Sequence, residues 1–151
     1  MVPDTANAVV RPPLLFLGSL VVGAVLDRLL PLAFPIDGRV IGGVMVVIGI
    51  AVFVASVRNF GRADTPVPGN QPTRALVITG IHGFSRNPIY VGMFLFYTGI
   101  GIGTGSLWTL ILLLPIAITM RYGVVAREEI YLEQRFGDAY RGYKARVRRW
   151  I

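Results

Sequence analysis

The sequence contains no cysteine and a single histidine, His82. Disulfides, thiol nucleophiles and cysteine-ligated metals are therefore excluded, and one imidazole is too few for a histidine-rich metal site. No metal is expected. Charge is scarce as well: charged residues make up 15% of the chain, against about 25% in ordinary soluble domains. Hydrophobic residues make up 54%, and the runs 14–26, 40–57 and 89–120 contain no charged residue at all. A bilayer-crossing helix needs about 20 apolar residues. The first two runs thus predict one span each, while the third is too long for one span and breaks at GIGTGS (101–106) into a tight hairpin.

The expected fold is all-α: one domain over 1–151, a polytopic membrane helix bundle of about four transmembrane helices with a C-terminal amphipathic interfacial helix. The spans are placed near 14–34, 39–58, 88–103 and 105–122, the last helix near 124–150, and a polar loop over 61–88. The first run competes with a signal peptide. Only Arg11 precedes it, offset by Asp4, and no small-x-small cleavage site follows, so a retained helix is expected. Pro31 and Pro35 close the first span. Gly38 and Gly42 have a spacing that permits close helix packing. Three prolines within 66–72 predict extended or turning chain over Thr65–Gln71.

The net charge of +7 is unevenly spread. Asp27, Arg28, Asp37 and Arg39 cancel between the first two runs, whereas Arg58, Arg62, Arg74 and Arg86 face Asp64 alone. Basic residues again outnumber acidic ones from Arg121 onward. The positive-inside rule puts the 58–86 loop and both termini in the cytoplasm. The basic excess suits anionic lipid headgroups, and no nucleic-acid-binding module is visible. Along the tail, Phe136, Tyr140, Tyr143, Val147 and Trp150 recur at helical spacing, with Arg141, Lys144, Arg146, Arg148 and Arg149 largely off that stripe. Such a helix lies in the membrane interface.

Two patterns exceed what membrane residence requires. In Arg86-Asn87-Pro88-x-Tyr90-x-Gly92, proline suits the first turn of a helix and Asn87 is positioned as its N-cap. That helix end and Arg86 suit a carboxylate, and Gly92 leaves room against the backbone. A capped helix start beside an interfacial arginine accounts for the same residues. In Arg127-Glu128-Glu129, the acids either begin a solvated face or turn a carboxylate toward the bundle to grip a cation such as an ammonium. GIGIGTG (99–105) lies mid-hairpin in apolar sequence, outside any βαβ unit, so it is not a phosphate loop.

The stretches LVITGIHGFSRNPIYVG (76–92) and REEIYLEQRFGDAYRGYKARVRRW (127–150) together resemble the isoprenylcysteine carboxyl methyltransferase and phospholipid methyltransferase family. The first is similar to its Leu-Val, Gly-x-Tyr and Arg-His-Pro-x-Tyr-x-Gly pattern, the second to its Glu-Glu, Phe-Gly-x-x-Tyr-x-x-Tyr and basic ending. The resemblance implies S-adenosylmethionine as cofactor at the cytoplasmic side. By motif position Leu76, Val77, His82, Arg86, Asn87, Pro88, Tyr90, Gly92 and Glu128 would form its site. Leu76, Val77, Ile78 and Phe84 would wall its adenine. His82 stands where the family often has tyrosine, Asn87 where it often has histidine, and Val124 where the prenylcysteine enzymes carry arginine. The implied activity is methyl transfer to a hydrophobic or lipid-like acceptor. Arg121 or Arg127 would position a carboxylate acceptor, and Glu128 or Glu129 would act as base toward an amine or thiol. Membrane lipids are the surroundings, and oligomeric state is open. A sterol-reductase-like enzyme using NADPH and a non-catalytic lipid- or partner-binding membrane module are the alternatives.

Overall fold

The computed structural model describes residues 5–32, 37–67 and 71–151. The expected end of the first span near residue 34, and residues 68–70 of the proline-rich stretch, lie outside these. The described residues form helices joined by irregular chain, with no strand among them. Helix α1 is Pro12–Leu29, α2 Arg39–Arg62, α3 Pro88–Thr104, α4 Leu107–Ile118, α5 Ala126–Phe136 and α6 Asp138–Arg146. A 3-10 turn, Gly80–Gly83, precedes α3, and a π-helical segment, Thr119–Val125, joins α4 to α5.

Three helical stretches are long and apolar enough to cross a membrane: α1, α2 and the continuous run Leu107–Phe136. The fourth, α3, has 17 residues and so spans about 25 Å. Large apolar side chains such as Leu14, Val21, Val40, Val47 and Leu114 point outward, which water penalises and lipid does not. The chain is an all-α membrane bundle.

Helix α1 starts at the two prolines Pro12 and Pro13 rather than after them, because proline lacks only an N–H that is unpaired in the first turn anyway. Between α3 and α4 the chain turns at Gly105, whose φ of 68° is costly for any residue with a Cβ. Ser106 then caps α4 by accepting from the Thr109 N–H at 3.1 Å.

Helices α2 and α3 pack backbone to backbone. A Cβ on Gly49 would sit 2.6 Å from the Phe96 nitrogen, and one on Gly99 2.7 Å from the Gly42 oxygen. Helix α1 packs on α4, where Gly23 meets Thr109, and the Trp108 indole N–H donates to the Leu30 carbonyl at 2.7 Å. The core between the two pairs holds Phe16, Ile89, Tyr97, Ile116, Met120 and Val124.

The C-terminal segment differs from the single helix expected over 124–150. It continues α4 through the π segment, then bends at Gly137, where φ is 52°, and α6 folds back. Its aromatic stripe turns toward the protein: Tyr140 and Tyr143 are buried, while Arg141, Lys144, Arg146 and Arg148 remain exposed.

Candidate functional site

One end of the bundle gathers the start of α3, the end of α2, the 73–87 loop and α5–α6 around a small cavity. The loop is pinned from several sides. Thr65 Oγ1 accepts from the Arg74 N–H at 2.8 Å, and the Tyr131 hydroxyl accepts from the Thr73 N–H at 3.0 Å. The Tyr143 hydroxyl donates to the His82 carbonyl at 2.6 Å. Asn59 Nδ2 donates to the Thr79 carbonyl at 2.9 Å and lies 3.3 Å from His82 Nδ1. An amide nitrogen only donates, so His82 Nδ1 is the acceptor and its proton sits on Nε2. Burial lowers the His82 pKa from 6.5 to about 4, so the ring is neutral at ordinary pH.

The acids of α5 resolve into different positions. With Val124 and Val125 they form one buried stripe, at i, i+1, i+4 and i+5, and Glu128 and Glu129 are 5% and 6% exposed. They do not begin a solvated face. Glu128 Oε1 accepts from the Tyr90 hydroxyl at 2.6 Å. Glu129 takes two guanidiniums: Arg149 through Nε at 2.8 Å and Nη2 at 2.5 Å, and Arg86 Nη2 at 3.2 Å.

Arg86 supplies the site's unfilled capacity. Its side chain is 8% exposed, yet among the described residues its Nε and Nη1 have no hydrogen-bond partner, nor does the buried Thr73 Oγ1. Thr73 and Arg86 both line the cavity. Buried donors in this state are unfavourable unless a ligand or water meets them.

Of the residues expected in the site, the structure brings Leu76, Val77, His82, Arg86, Asn87 and Pro88 to this cavity, together with Tyr90, Glu128 and Glu129. Others it does not. A Cβ on Gly92 would meet the Gly49 oxygen and Phe53 nitrogen at 2.8 Å, so that glycine serves the α2–α3 contact. Arg127 donates to the Asn7 carbonyl at 3.0 Å, and Arg121 lies over the Tyr122 ring beside Trp150 on another face. Ile78 and Phe84 face outward, Phe84 being 81% exposed. Asn87 precedes α3 but makes no side-chain cap; its Nδ2 donates to the Arg149 carbonyl at 2.9 Å.

Sequence reasoning passed over Arg149, Tyr131, Thr73, Phe60 and the two buried α6 tyrosines as parts of this end. Of these, the i, i+3 pair Tyr140 and Tyr143 was visible as a stripe, although its partner was not. The cavity holds about 40 Å³, room for a water or two. Ile89, Tyr90 and Glu128 also border a larger cleft of about 550 Å³. A ligand of nucleoside size needs the cavity walls to part.

A family model for phospholipid methyltransferases matches residues 38–139. A chain from Haemophilus influenzae (strain Rd), described only as an uncharacterized protein, is 67% identical over 27 residues, covering 18% of this chain and 43% of that one. No solved structure matches.

Proposed function

The chain belongs to the phospholipid methyltransferase family, and on that premise we propose that it transfers a methyl group from S-adenosylmethionine to a hydrophobic, lipid-like acceptor. The observation that carries this reading is Arg86, a buried guanidinium with two N–H-bearing atoms unpartnered among the described residues, lining the same cavity as the buried carboxylate of Glu128. An amino-acid zwitterion presents the matching pair, a carboxylate and an ammonium.

In this assignment the Nη1 of Arg86 holds the cofactor's carboxylate through a charge-assisted hydrogen bond. Thr73 Oγ1 adds a further polar contact. Glu128 holds the ammonium, oriented by the hydrogen bond from Tyr90. Leu76 and Val77 supply apolar wall for the adenine. Glu129 is not free to act as a base, because Arg86 and Arg149 share it; its work is to position Arg86. When bound, S-adenosylmethionine supplies a methyl group on a positively charged sulfur, which leaves as a neutral thioether as the acceptor's lone pair takes the methyl. The bundle contributes alignment of the two reactants. Tyr90 and Glu128, shared by cavity and cleft, mark where they meet.

The site end also carries Arg58, Arg62, Arg74 and the basic tail, which supports a cytoplasmic placement of that end and of both termini. Calorimetric titration of the detergent-purified protein with S-adenosylmethionine tests the reading. Binding by wild type, weakened at least tenfold in Arg86→Lys and in Glu128→Gln, is expected. No binding by wild type, or equal binding by both variants, defeats it.

A further inference from the structure

Arg121 and Trp150 take no part in the site described above. With Phe94, Ala117, Ile118 and Tyr122 they line a groove of about 360 Å³, and none of the six borders the cavity or the cleft beside it. Helix α3 supplies Phe94, the tail beyond α6 supplies Trp150, and the end of α4 with its π segment supplies the rest. Ala117, Ile118, Arg121 and Tyr122 stand at i, i+1, i+4 and i+5, so one helix face meets the groove, while Met120, Val124 and Val125 go to the core. The Trp150 ring meets Phe94 edge-on at 6.1 Å.

This face carries a charge that the protein leaves uncompensated. Arg121 is half-buried and has no acidic partner among the described residues; its guanidinium lies 5.6 Å from the centre of the Tyr122 ring. It belongs to the helical run Leu107–Phe136, long and apolar enough to cross a membrane. Ile118 and Leu114, one and two turns earlier, are 52% and 69% exposed, which puts lipid hydrocarbon against this face. An arginine at the border of such a face is best met by an anion that itself ends in hydrocarbon. Its planar fork matches a phosphate, and tyrosine and tryptophan are the residues that settle at headgroup level.

We propose that this groove binds one anionic phospholipid, at a place separate from that of the methyl acceptor. Its phosphate pairs with Arg121, its headgroup lies beside Tyr122 and Trp150, and an acyl chain runs along Ala117 and Ile118. A soluble phosphate would satisfy Arg121 but leave the apolar wall of Phe94, Ile118 and Trp150 uncovered. The lipid bears on the site through the tail. Trp150 follows Arg149, which grips Glu129, and Arg148, whose carbonyl accepts from the Arg86 N–H. Holding Trp150 in the groove steadies that contact.

Native mass spectrometry of the full chain in detergent, titrated with phosphatidylglycerol or phosphatidylcholine of the same acyl chains, tests this. Neither headgroup offers a free amine, carboxylate or thiol, so neither is read as a methyl acceptor. Wild type is expected to hold one phosphatidylglycerol, preferred about fivefold, the worth of one arginine at a charged lipid surface. Arg121→Gln is expected to abolish the preference, and Arg146→Gln, on the exposed side of α6, to keep it. Ala117→Trp, which fills the groove from an exposed position and leaves Arg121 in place, is expected to weaken both lipids. No preference in wild type, a preference that survives Arg121→Gln, equal loss in Arg146→Gln, or binding untouched by Ala117→Trp overturns the proposal. So does displacement by inorganic phosphate at constant ionic strength, which would mark a free-anion site. Hydrogen exchange at the Arg86 amide reads the coupling: phosphatidylglycerol is expected to slow it in wild type and not in Arg121→Gln. Unchanged exchange beside an Arg121-dependent preference supports the lipid site and defeats its link to the tail.

Discussion

The Tyr90 hydroxyl donates to Glu128 Oε1 at 2.6 Å across the interface between α3 and α5. The two residues are far apart in sequence, and both are buried. The bond is therefore at once a tertiary link and the device that fixes how the carboxylate faces the cavity. Removing one partner of such a pair costs about 1–3 kcal/mol, because the other stays buried with a lost contact. Tyr90→Phe is expected to lower the thermal midpoint in detergent by several degrees, at about 2–4 °C per kcal/mol for a chain of this size. In a Glu128→Gln background the same change is expected to cost less, since a neutral amide tolerates the loss better than a carboxylate. A Tyr90→Phe protein that unfolds at the wild-type temperature would show that the bond does not hold the site.

His82 gives the site a pH signature. Its ring packs edge-on against Phe60 at 4.9 Å, and burial holds its pKa at about 4 instead of 6.5. Between these values the unfolded chain takes up a proton that the folded protein refuses, so unfolding gains protons and stability falls with falling pH. Above about 6.5 the histidine contributes no pH dependence. Comparing wild type with His82→Gln by thermal unfolding across this range isolates the effect from the carboxylates. The difference between them is expected to be flat above pH 6.5 and to move in favour of the variant as pH drops toward 4. A constant difference throughout would mean that His82 titrates normally.

The close approach of α2 and α3 makes a graded prediction about glycines. Gly49→Ala places a Cβ 2.6 Å from the Phe96 backbone nitrogen, and neither backbone can yield without parting the helices. About 1–3 kcal/mol of destabilisation is expected from this overpacking. Gly43→Ala on the outward face of the same helix meets nothing within 4 Å and is expected to stay within about 0.5 kcal/mol of wild type. Equal effects at the two positions, read by unfolding in the same detergent, would exclude backbone contact as the reason for these glycines.

The bundle was legible in the apolar runs because lipid exposure leaves whole stretches without charge, and the hairpin was legible at Gly105 because few residues adopt its φ. The site was legible only as two motifs. Arg86, Pro88, Tyr90 and Glu128 announce themselves locally, through a helix start and a charge at a membrane border. What each side chain touches is a long-range fact. Asn87 looked like a cap by position, yet its amide reaches the tail; Gly92 looked like space for a ligand, yet it meets Gly49. Arg149 was one cation among several on a basic tail, and nothing local marks it as the partner of Glu129.

Arg149 ties the tail to α5 and to the chain just before α3. Its guanidinium grips Glu129 through two atoms, its carbonyl accepts from Asn87, and the neighbouring Arg148 carbonyl accepts from the Arg86 N–H at 3.0 Å. With Glu129 buried, the pair is a two-point charged contact rather than a solvent-screened one. Arg86 also faces Glu129, so the three groups act as a unit and single substitutions overstate any one bond. A double-mutant cycle with Arg149→Ala and Glu129→Gln removes that ambiguity, and a coupling of about 0.5–3 kcal/mol is expected. Hydrogen exchange reads the structural consequence: Arg149→Ala is expected to speed exchange at the Arg86 amide, whose acceptor lies on the tail, while leaving amides of the α2–α3 contact unchanged. Absent coupling together with unchanged Arg86 exchange would mean that the backbone bonds alone hold the tail, and that the ion pair only neutralises Glu129.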